Sequence, residues 1–291
     1  MASLRDIRER IRSNKNTQKI TQAMKLISAS RLRRAQEAVL QARPFALELG
    51  SLLRRVAARQ AAEEGEPSHP LLAVKVAPRS VLLVVITSDR GLAGAFNANI
   101  LRRAERFIRE NEGTYERFEI ATIGRKARDF FRKRSLGTVI DHPGVFEHLT
   151  FRQAQDIADG IAREFIDGEL DAVYLVYNEF KSAIAQKVVV EPLLPIVAGE
   201  LPDGHEVDYI YEPSRKEVLK GLAPQYLSTL IWRSLLESSA AEHGARMTAM
   251  DNATRNAKEI VDRLTLDYNR ARQAVITTQL MEVIGGAEAL G

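Results

Sequence analysis

The chain has 291 residues, of which 45% are hydrophobic and none is cysteine. This length supports one large domain or two smaller ones with a real hydrophobic core, and the lack of cysteine excludes disulfides, thiolate metal sites and cysteine nucleophiles. The formal net charge of +4 is uneven, because residues 1–60 hold 14 Lys and Arg against 4 acidic residues. Such a basic arm would attract an acidic surface, nucleic acid or anionic lipid.

The first predicted element is a long coiled-coil helix over residues 1–59. Pro44 lies inside it and predicts a kink or local bend, since an interior proline removes a backbone hydrogen bond. Its apolar residues recur at alternating spacings of four and three, the heptad pattern of a coiled coil. These residues are Ala35, Val39, Ala42, Ala46, Leu49, Leu53 and Val56.

Residues 60–79 mix glycine, prolines and acidic residues and are predicted to be a linker. A central α/β domain is predicted over residues 80–213, because strand-like apolar runs alternate with helical stretches. Residues 182–196 follow the last of these strands after a short connection, so they are predicted to form an antiparallel edge strand. The strands are expected at 81–87, 118–123 and 172–176, and the helices near 95–112, 124–134 and 150–167.

Residues 214–291 are predicted to form the second long coiled-coil helix. At about 1.5 Å per residue the two helices would span roughly 80 Å and 95 Å, more than the roughly 50 Å diameter of a compact globule of this length. We therefore expect an antiparallel two-stranded coiled coil that protrudes from a Rossmann-like α/β domain. The second seam is predicted at Ala257, Ile260, Leu264, Ala271, Val275 and Thr278, with Tyr268 adjacent.

The other faces of this second helix carry Ala, Thr, Asn, Met and Gln in place of dense Glu/Lys pairs. A free coiled coil is expected to be more charged. The composition fits either a weakly amphipathic helix or a shaft enclosed by other subunits. No stretch approaches the roughly 20 apolar residues that cross a bilayer, so membrane association is expected to go through a partner.

The stretch VLLVVITSDRGLAGAFNANI, residues 81–100, resembles the start of a nucleotide site. It offers only G-x-x-G, whereas a phosphate loop needs G-x-x-x-x-G-K and a dinucleotide turn needs G-x-G-x-x-G. Anion binding by free N–H groups at the start of the following helix stays open. We expect Gly91 and Gly94 to serve a tight turn and close packing, with Asp89 and Arg90 available for local pairing or a partner contact.

No metal-ligand spacing or catalytic motif is present in the sequence. The five histidines are scattered and are predicted to be surface residues; they are His69, His142, His148, His205 and His243. We therefore expect no catalytic residue, no metal and no cofactor.

Six stretches, in order across nearly the whole chain, resemble the gamma subunits of F-type ATP synthases. They are NTQKITQAMKLISASRLRRAQ (16–36), TSDRGLAGAFN (87–97), YLVYNEF (174–180), DYIYEP (208–213), ARMTAMDNAT (245–254) and YNRARQAVITTQLMEVIGGAEAL (268–290). The chain has neither cysteine nor the regulatory insertion of chloroplast gamma subunits, so the bacterial form is the better match.

The resemblance implies the central rotor shaft of a membrane-bound, proton-translocating ATP synthase. In that family the paired helices lie inside a hexamer of alternating alpha and beta subunits, and the α/β domain forms the foot beside the epsilon subunit and the c ring. Proton flow turns the ring and the shaft, and the shaft drives the beta-subunit sites through their nucleotide states and regulates ATPase activity and proton flow. The resemblance further implies one copy per complex, no catalysis by the chain itself, no nucleic-acid partner, and a peripheral position on the cytoplasmic face of the bacterial cell (inner) membrane.

The family's functional residues carry over to two groups of positions. Coupling contacts with the beta subunit are implied for Met24, Arg246, Arg272, Gln273 and Thr277, with ordinary coiled-coil packing as the alternative for each. Contacts of the foot with epsilon or the c ring are implied for Tyr209, Tyr211 and Glu212, where a simple strand face is the alternative.

Two functions from other classes compete with this interpretation. A nucleotide-dependent enzyme built on the central domain would bind ATP or NAD in a calorimetric titration. A nucleic-acid-binding coiled coil that uses the basic arm would bind DNA with a steep salt dependence. The arm's only aromatic residue is Phe45, which is little for stacking on bases.

Overall fold

The computed structural model describes residues 3–64, 69–134, 138–168, 170–182, 185–197 and 209–288. Its helices are α1 (Leu4–Glu64), α2 (Phe96–Asn111), α3 (Arg125–Arg132), α4 (Phe151–Asp167) and α5 (Arg215–Glu288). Its strands are β1 (Ser80–Ile86), β2 (Arg117–Ile123), β3 (Thr138–His142), β4 (Ala172–Phe180) and β5 (Gln186–Leu194).

The strands form one five-stranded sheet in the order β3-β2-β1-β4-β5. β1 lies at its centre and is buried along its whole length, as expected for a parallel strand covered on both faces. Strands β1 to β4 are parallel, and β5 pairs antiparallel with β4. The predicted Rossmann-like α/β domain and its antiparallel edge strand are confirmed.

Helices cover both faces of the sheet. On one face, α4 and parts of α1 and α5 pack against alternate residues of β1. On the other face, α2 and α3 pack against the intervening β1 residues. The first core contains Leu53, Leu82, Val84, Ile86, Ile157, Leu175, Leu227 and Ile231, and the second contains Leu83, Val85, Ile100, Phe107 and Phe131.

The chain divides into two compact units, and both long helices contribute to each. One unit spans residues 29–245 and contains the sheet. Within it α1 and α5 run antiparallel, since Arg43 Nη2 donates to Glu237 Oε1 at 3.2 Å while Glu63 pairs with Arg215. A Cβ atom added at Gly50 would lie 2.8 Å from the Tyr226 ring, so any larger residue here would displace that ring.

The other unit joins the residues up to Ser28 with those from Arg246 onward. The helices are antiparallel here too, because Lys25 contacts Asp251 while Arg8 contacts Tyr268. The predicted antiparallel pairing of the two long helices is therefore confirmed within each unit.

The first predicted seam agrees with the structure. Five of its seven residues are buried, namely Val39, Ala46, Leu49, Leu53 and Val56. The other two, Ala35 and Ala42, are half-buried. α1 continues through Pro44 to Glu64, past residue 59 and into the segment expected to be a linker.

The second predicted seam is partly wrong. Ala257 and Leu264 are buried, but Ile260 and Val275 are exposed and Val261 takes the inner position. Neighbouring residues on a helix point about 100° apart, so a shift of one residue places Ile260 outside the seam.

Beyond Tyr268 the predicted seam residues are not buried. Ala271 is half-buried and Thr278 is exposed. The physical reason is the antiparallel register, since Arg8 near the start of α1 already lies opposite Tyr268.

Among the described residues, no helix combines the length and apolar character that a membrane span requires.

Candidate functional site

The five predicted coupling residues all lie in the compact unit formed by the two ends of the long helices. Met24 on α1 is half-buried, and Arg246 on α5 is only 8% exposed. Arg272, Gln273 and Thr277 are exposed on α5. The structure thus presents one buried arginine and one exposed group of three, in which Gln273 and Thr277 are one helical turn apart.

Polar contacts join the two helices near Met24. Thr21 Oγ1 and Thr254 Oγ1 lie 2.7 Å apart, and Lys25 Nζ lies 2.6 Å from Asp251 Oδ1. The hydrogen bond from Lys25 lowers the pKa of Asp251 below its usual value. These contacts fix the register of the helix pair around Met24.

The basic arm forms a cationic surface around Tyr268. Arg5, Arg8 and Arg12 line a cavity of about 500 Å³ together with this ring. Arg8 Nη2 donates to the Tyr268 hydroxyl at 2.6 Å. Arg5 pairs with Glu9 at 3.3 Å, but both side chains are largely exposed, and ion pairs of this kind contribute little to stability.

The predicted foot residues form a ladder of aromatic and cationic groups. The Tyr209 and Tyr211 rings meet edge to face with centroids 6.2 Å apart. Arg55 lies over the Tyr209 ring at 5.6 Å, and Arg215 lies over the Tyr211 ring at 4.7 Å. Residues 209–214 are not in a strand, so the alternative of a strand face is wrong.

The ladder presents part of its surface to solvent. Glu212 is exposed, as is 41% of Tyr209 and 94% of Ile210. Cation–π contacts hold the two rings to residues of the long helices.

The glycine turn after β1 uses its polar residues to cap α3. Asp89 Oδ1 accepts the N–H of Arg125 at 3.0 Å and of Gly144 at 2.7 Å, and Asp89 Oδ2 accepts the N–H of Phe146 at 3.1 Å. Thr87 Oγ1 accepts the N–H of Ala127 at 2.8 Å. These groups satisfy donors at the N-terminus of α3, the helix that follows β2. The helix that directly follows the turn, α2, has no side-chain hydrogen bond at its N-cap residue Ala95.

The buried carboxylate decides the chemistry of this turn. The Asp89 side chain is 3% exposed, and its charge opposes a phosphate group at the end of β1. Gly94 adopts a left-handed φ of 57°, which confirms the tight turn, but a Cβ atom added at Gly91 would meet nothing within 4 Å. The expected close packing is therefore wrong for Gly91, and Asp89 pairs within the chain with backbone groups that lie 36 to 57 residues away, not with local neighbours.

The histidines depart from the expectation of a surface position. His69, His142 and His243 are half-buried, His148 is exposed, and His205 lies outside the described residues. Burial lowers the pKa of both His69 and His142. The described residues contain no cluster of three or more His, Cys, Asp or Glu that could hold a metal.

A charged network between α5, α1 and the sheet was not predicted. Arg233 Nη2 donates to Glu191 Oε2 at 3.0 Å, and one turn along α5 Glu237 accepts from Arg43. The Tyr177 hydroxyl hydrogen-bonds with Arg233 and Glu191, and burial raises its pKa. The only sequence signal was the presence of ionisable residues inside the apolar stretch LSTLIWRSLLESSA, residues 227–240.

Comparison with known proteins places the chain in one family. The family model described as ATP synthase matches residues 3–290. An ATP synthase gamma chain from Anaeromyxobacter sp. (strain Fw109-5) is 55% identical over 291 residues, which covers 100% of both chains. An ATP synthase gamma chain from Pelotomaculum thermopropionicum is 49% identical with the same coverage.

Solved structures agree with these relatives. A chain from the central stalk and c ring of the Tetrahymena thermophila mitochondrial ATP synthase has a TM-score of 0.64 and 28% identity, over 80% of this chain and 99% of that chain. A chain from the Euglena gracilis mitochondrial ATP synthase has a TM-score of 0.72 over 99% of this chain and 94% of that chain, and at 20% identity this is a likeness of fold. The chain belongs to the family of ATP synthase gamma chains.

Proposed function

We propose that this chain is the central rotor shaft of a bacterial, membrane-bound, proton-translocating ATP synthase. The observation that carries the proposal is the match to bacterial gamma chains over the full length of both chains. In this role the chain couples proton flow through a c ring to ATP synthesis or hydrolysis at sites on beta subunits. It contributes no catalytic group and no cofactor site of its own, and it regulates ATPase activity and proton flow.

The proposed partners are a hexamer of alpha and beta subunits around the helix pair, and an epsilon subunit and a c ring at the foot. We propose one copy per complex, no nucleic-acid partner, and a peripheral position on the cytoplasmic face of the inner membrane. The end of α5 supports enclosure by subunits, because Leu280, Met281, Val283 and Ile284 are each more than half exposed. Exposed apolar surface of this extent is typical of interfaces.

The physical basis of coupling is population shift. A rotating shaft presents different side chains to each beta subunit, so it acts as a ligand with a different affinity for each conformation. Moving a site from 1:99 to 99:1 between two states requires about 5.5 kcal/mol of differential contact energy. A few charge-assisted hydrogen bonds of about 1.5–3 kcal/mol each would supply this amount.

Five residues are proposed to make these contacts with beta. They are Met24, Arg246, Arg272, Gln273 and Thr277. The exposed Arg272 offers a planar set of donors suited to carboxylate or carbonyl acceptors. At the foot, Tyr209, Tyr211 and Glu212 are proposed to contact epsilon or the c ring.

Co-purification tests the proposal. The tagged chain, expressed in its native host, should bring down alpha, beta and epsilon subunits in a fixed ratio. Recovery of the chain as a free monomer would contradict the proposed function.

Substitution of Arg272 tests the coupling residues. In the assembled complex, Arg272→Ala should lower ATP-driven proton pumping more than it changes the urea midpoint of the chain. Arg270→Ala is the matched control, since Arg270 is an exposed arginine on the same stretch of α5. Arg246→Ala should act in the same direction, with stability measured in parallel because Arg246 is buried. Wild-type pumping with a normal ATPase rate would contradict the assignment.

A further inference from the structure

We propose that Arg233 is a positioning residue for torque transfer, which fixes the angular setting of α5 on the central sheet through Glu191 and Tyr177. The inference rests on the proposed rotor function, because the angle between helix and sheet matters for coupling only if torque passes between them. All three residues lie in the compact unit of residues 29–245.

Arg233 lies on a stretch of α5 that packs on the sheet. Its neighbours Ile231 and Leu235 are fully buried in the core that also contains Leu175 of β4. Glu191 of the edge strand stands opposite Leu175 in the sheet register, so its side chain points to the same face. The 3.0 Å contact between Arg233 Nη2 and Glu191 Oε2 therefore joins α5 to the edge of the sheet.

A second contact holds the next turn of α5. Glu237 is one turn beyond Arg233, its side chain is 4% exposed, and its Oε1 lies 3.2 Å from Arg43 Nη2 of α1. On successive turns α5 is thus joined first to the sheet and then to the partner helix. Any movement of α5 relative to either neighbour strains one of these contacts.

Apolar packing alone sets such an angle weakly. The hydrophobic effect is non-directional and depends on buried area, which changes little for small rolls of a helix. A hydrogen-bonded ion pair is directional, and the planar guanidinium accepts a narrow range of geometries. A roll of about 20° moves an atom at the helix surface, roughly 5–6 Å from the axis, by about 2 Å. That movement breaks the Arg233–Glu191 contact.

The network is poorly suited to a purely stabilising role. Arg233 Nε and Glu237 Oε2 are buried without a hydrogen-bond partner in the described part of the chain. Burial raises the pKa of Glu237 although Arg233 and Arg43 oppose the shift. The Arg233 and Glu191 side chains are 22% and 41% exposed, and ion pairs that reach solvent contribute little to stability, so stability alone does not account for these charges.

A double substitution separates positioning from stability. Arg233→Met with Glu191→Met removes both charges and keeps apolar volume next to the core. We expect an unchanged or higher urea midpoint by circular dichroism and an ATPase rate within twofold of wild type. Proton uptake per ATP hydrolysed should fall at least twofold in reconstituted vesicles that carry the assembled complex.

Further variants keep the test decisive. Exchange of the two charges, Arg233→Glu with Glu191→Arg, should restore part of the lost uptake, and Tyr177→Phe should lower it while the ring stays in place. The matched control is the largely exposed pair Arg152–Asp156 on α4, where Arg152→Gln with Asp156→Asn should leave uptake unchanged.

Each result has one meaning. Wild-type uptake per ATP in the double methionine variant would overturn the inference. If that variant fails to assemble, wild-type uptake in Tyr177→Phe would overturn it instead. Failure of the unsubstituted chain to assemble or pump would contradict the proposed rotor function. If wild type pumps and the variants show the same proton uptake per ATP as wild type, only the role of Arg233 is contradicted.

Discussion

Removal of the Asp89 carboxylate is expected to destabilise the sheet-containing unit strongly. Asp89→Ala leaves three backbone donors without their acceptor, namely the N–H groups of Arg125, Gly144 and Phe146. An unsatisfied buried donor costs about 1–3 kcal/mol. Because water can reach some of these groups once the side chain is gone, we expect a loss of about 3–4 kcal/mol in the free energy of unfolding.

Urea denaturation measures this loss. Trp232 is the only tryptophan in the chain and lies in the same compact unit as Asp89, so its fluorescence reports on that unit. Asp89→Asn keeps one acceptor oxygen but turns an amide donor toward backbone donors. Its free energy of unfolding should fall by roughly half as much as that of Asp89→Ala. Asp129→Asn is the control, since its carboxylate is 42% exposed, and should change the free energy of unfolding by no more than about 0.5 kcal/mol.

Formate provides a second test of the same carboxylate. The ion carries the group that Asp89→Ala removes, so added formate should raise the urea midpoint of this variant more than that of wild type. Equal midpoints for Asp89→Ala and Asp129→Asn, or no differential effect of formate, would refute the assignment of Asp89 as the internal anion of the turn.

Three further predictions concern the same unit. Gly124→Ala should lower the free energy of unfolding by more than about 3 kcal/mol in urea, because the residue has a φ of 96° and the new Cβ would lie 2.1 Å from Thr87 O. Hydrogen bonds from Lys75 and nearby backbone hold the pKa of Asp171 well below its usual range despite burial. Its stabilisation is therefore present at neutral pH and lost in acid, and Asp171→Asn should lose about 2–3 kcal/mol in urea at pH 7. Burial lowers the pKa of His142, so the contribution of this residue to stability is present above a pH of about 6.5 and is lost as the pH falls below it. In His142→Gln the midpoint of thermal unfolding should therefore fall less between neutral and acidic pH than in wild type.

Most of the sheet could be predicted because buried parallel strands carry a local signal. β1 is a continuous apolar run, β2 and β4 are rich in apolar residues, and the short link before Gln186 indicated the antiparallel β5. β3 was missed, since TVIDH has no such run and only alternate residues are half-buried. β3 pairs with β2 alone, at the outer edge of the sheet, so its sequence is under weak constraint from packing.

The site was less predictable because its contacts join distant segments. The sequence marked Asp89 for local pairing, but not that its partners lie 36 to 57 residues away. Arg233 pairs with a residue 42 positions earlier, and Glu237 with one 194 positions earlier. Helical periodicity gives the face of a residue only to within about one position, which is too coarse to name such partners. The second seam is an example, because Ile260 was predicted to be buried and Val261 is buried in its place.

Asp89 and Glu191 illustrate one use of carboxylates around the same sheet. A Rossmann-like order of strands ordinarily leaves the carboxyl ends open for a ligand. Here the Asp89 carboxylate in the turn after β1 binds the start of α3. The Glu191 carboxylate on the edge strand β5 binds Arg233 of α5. Both carboxylates bind helices of the chain itself, and Asp89 does so at the carboxyl end of β1, where the fold elsewhere binds a ligand. For a part that must transmit a turning force, a directional contact resists rotation in a way that apolar area does not.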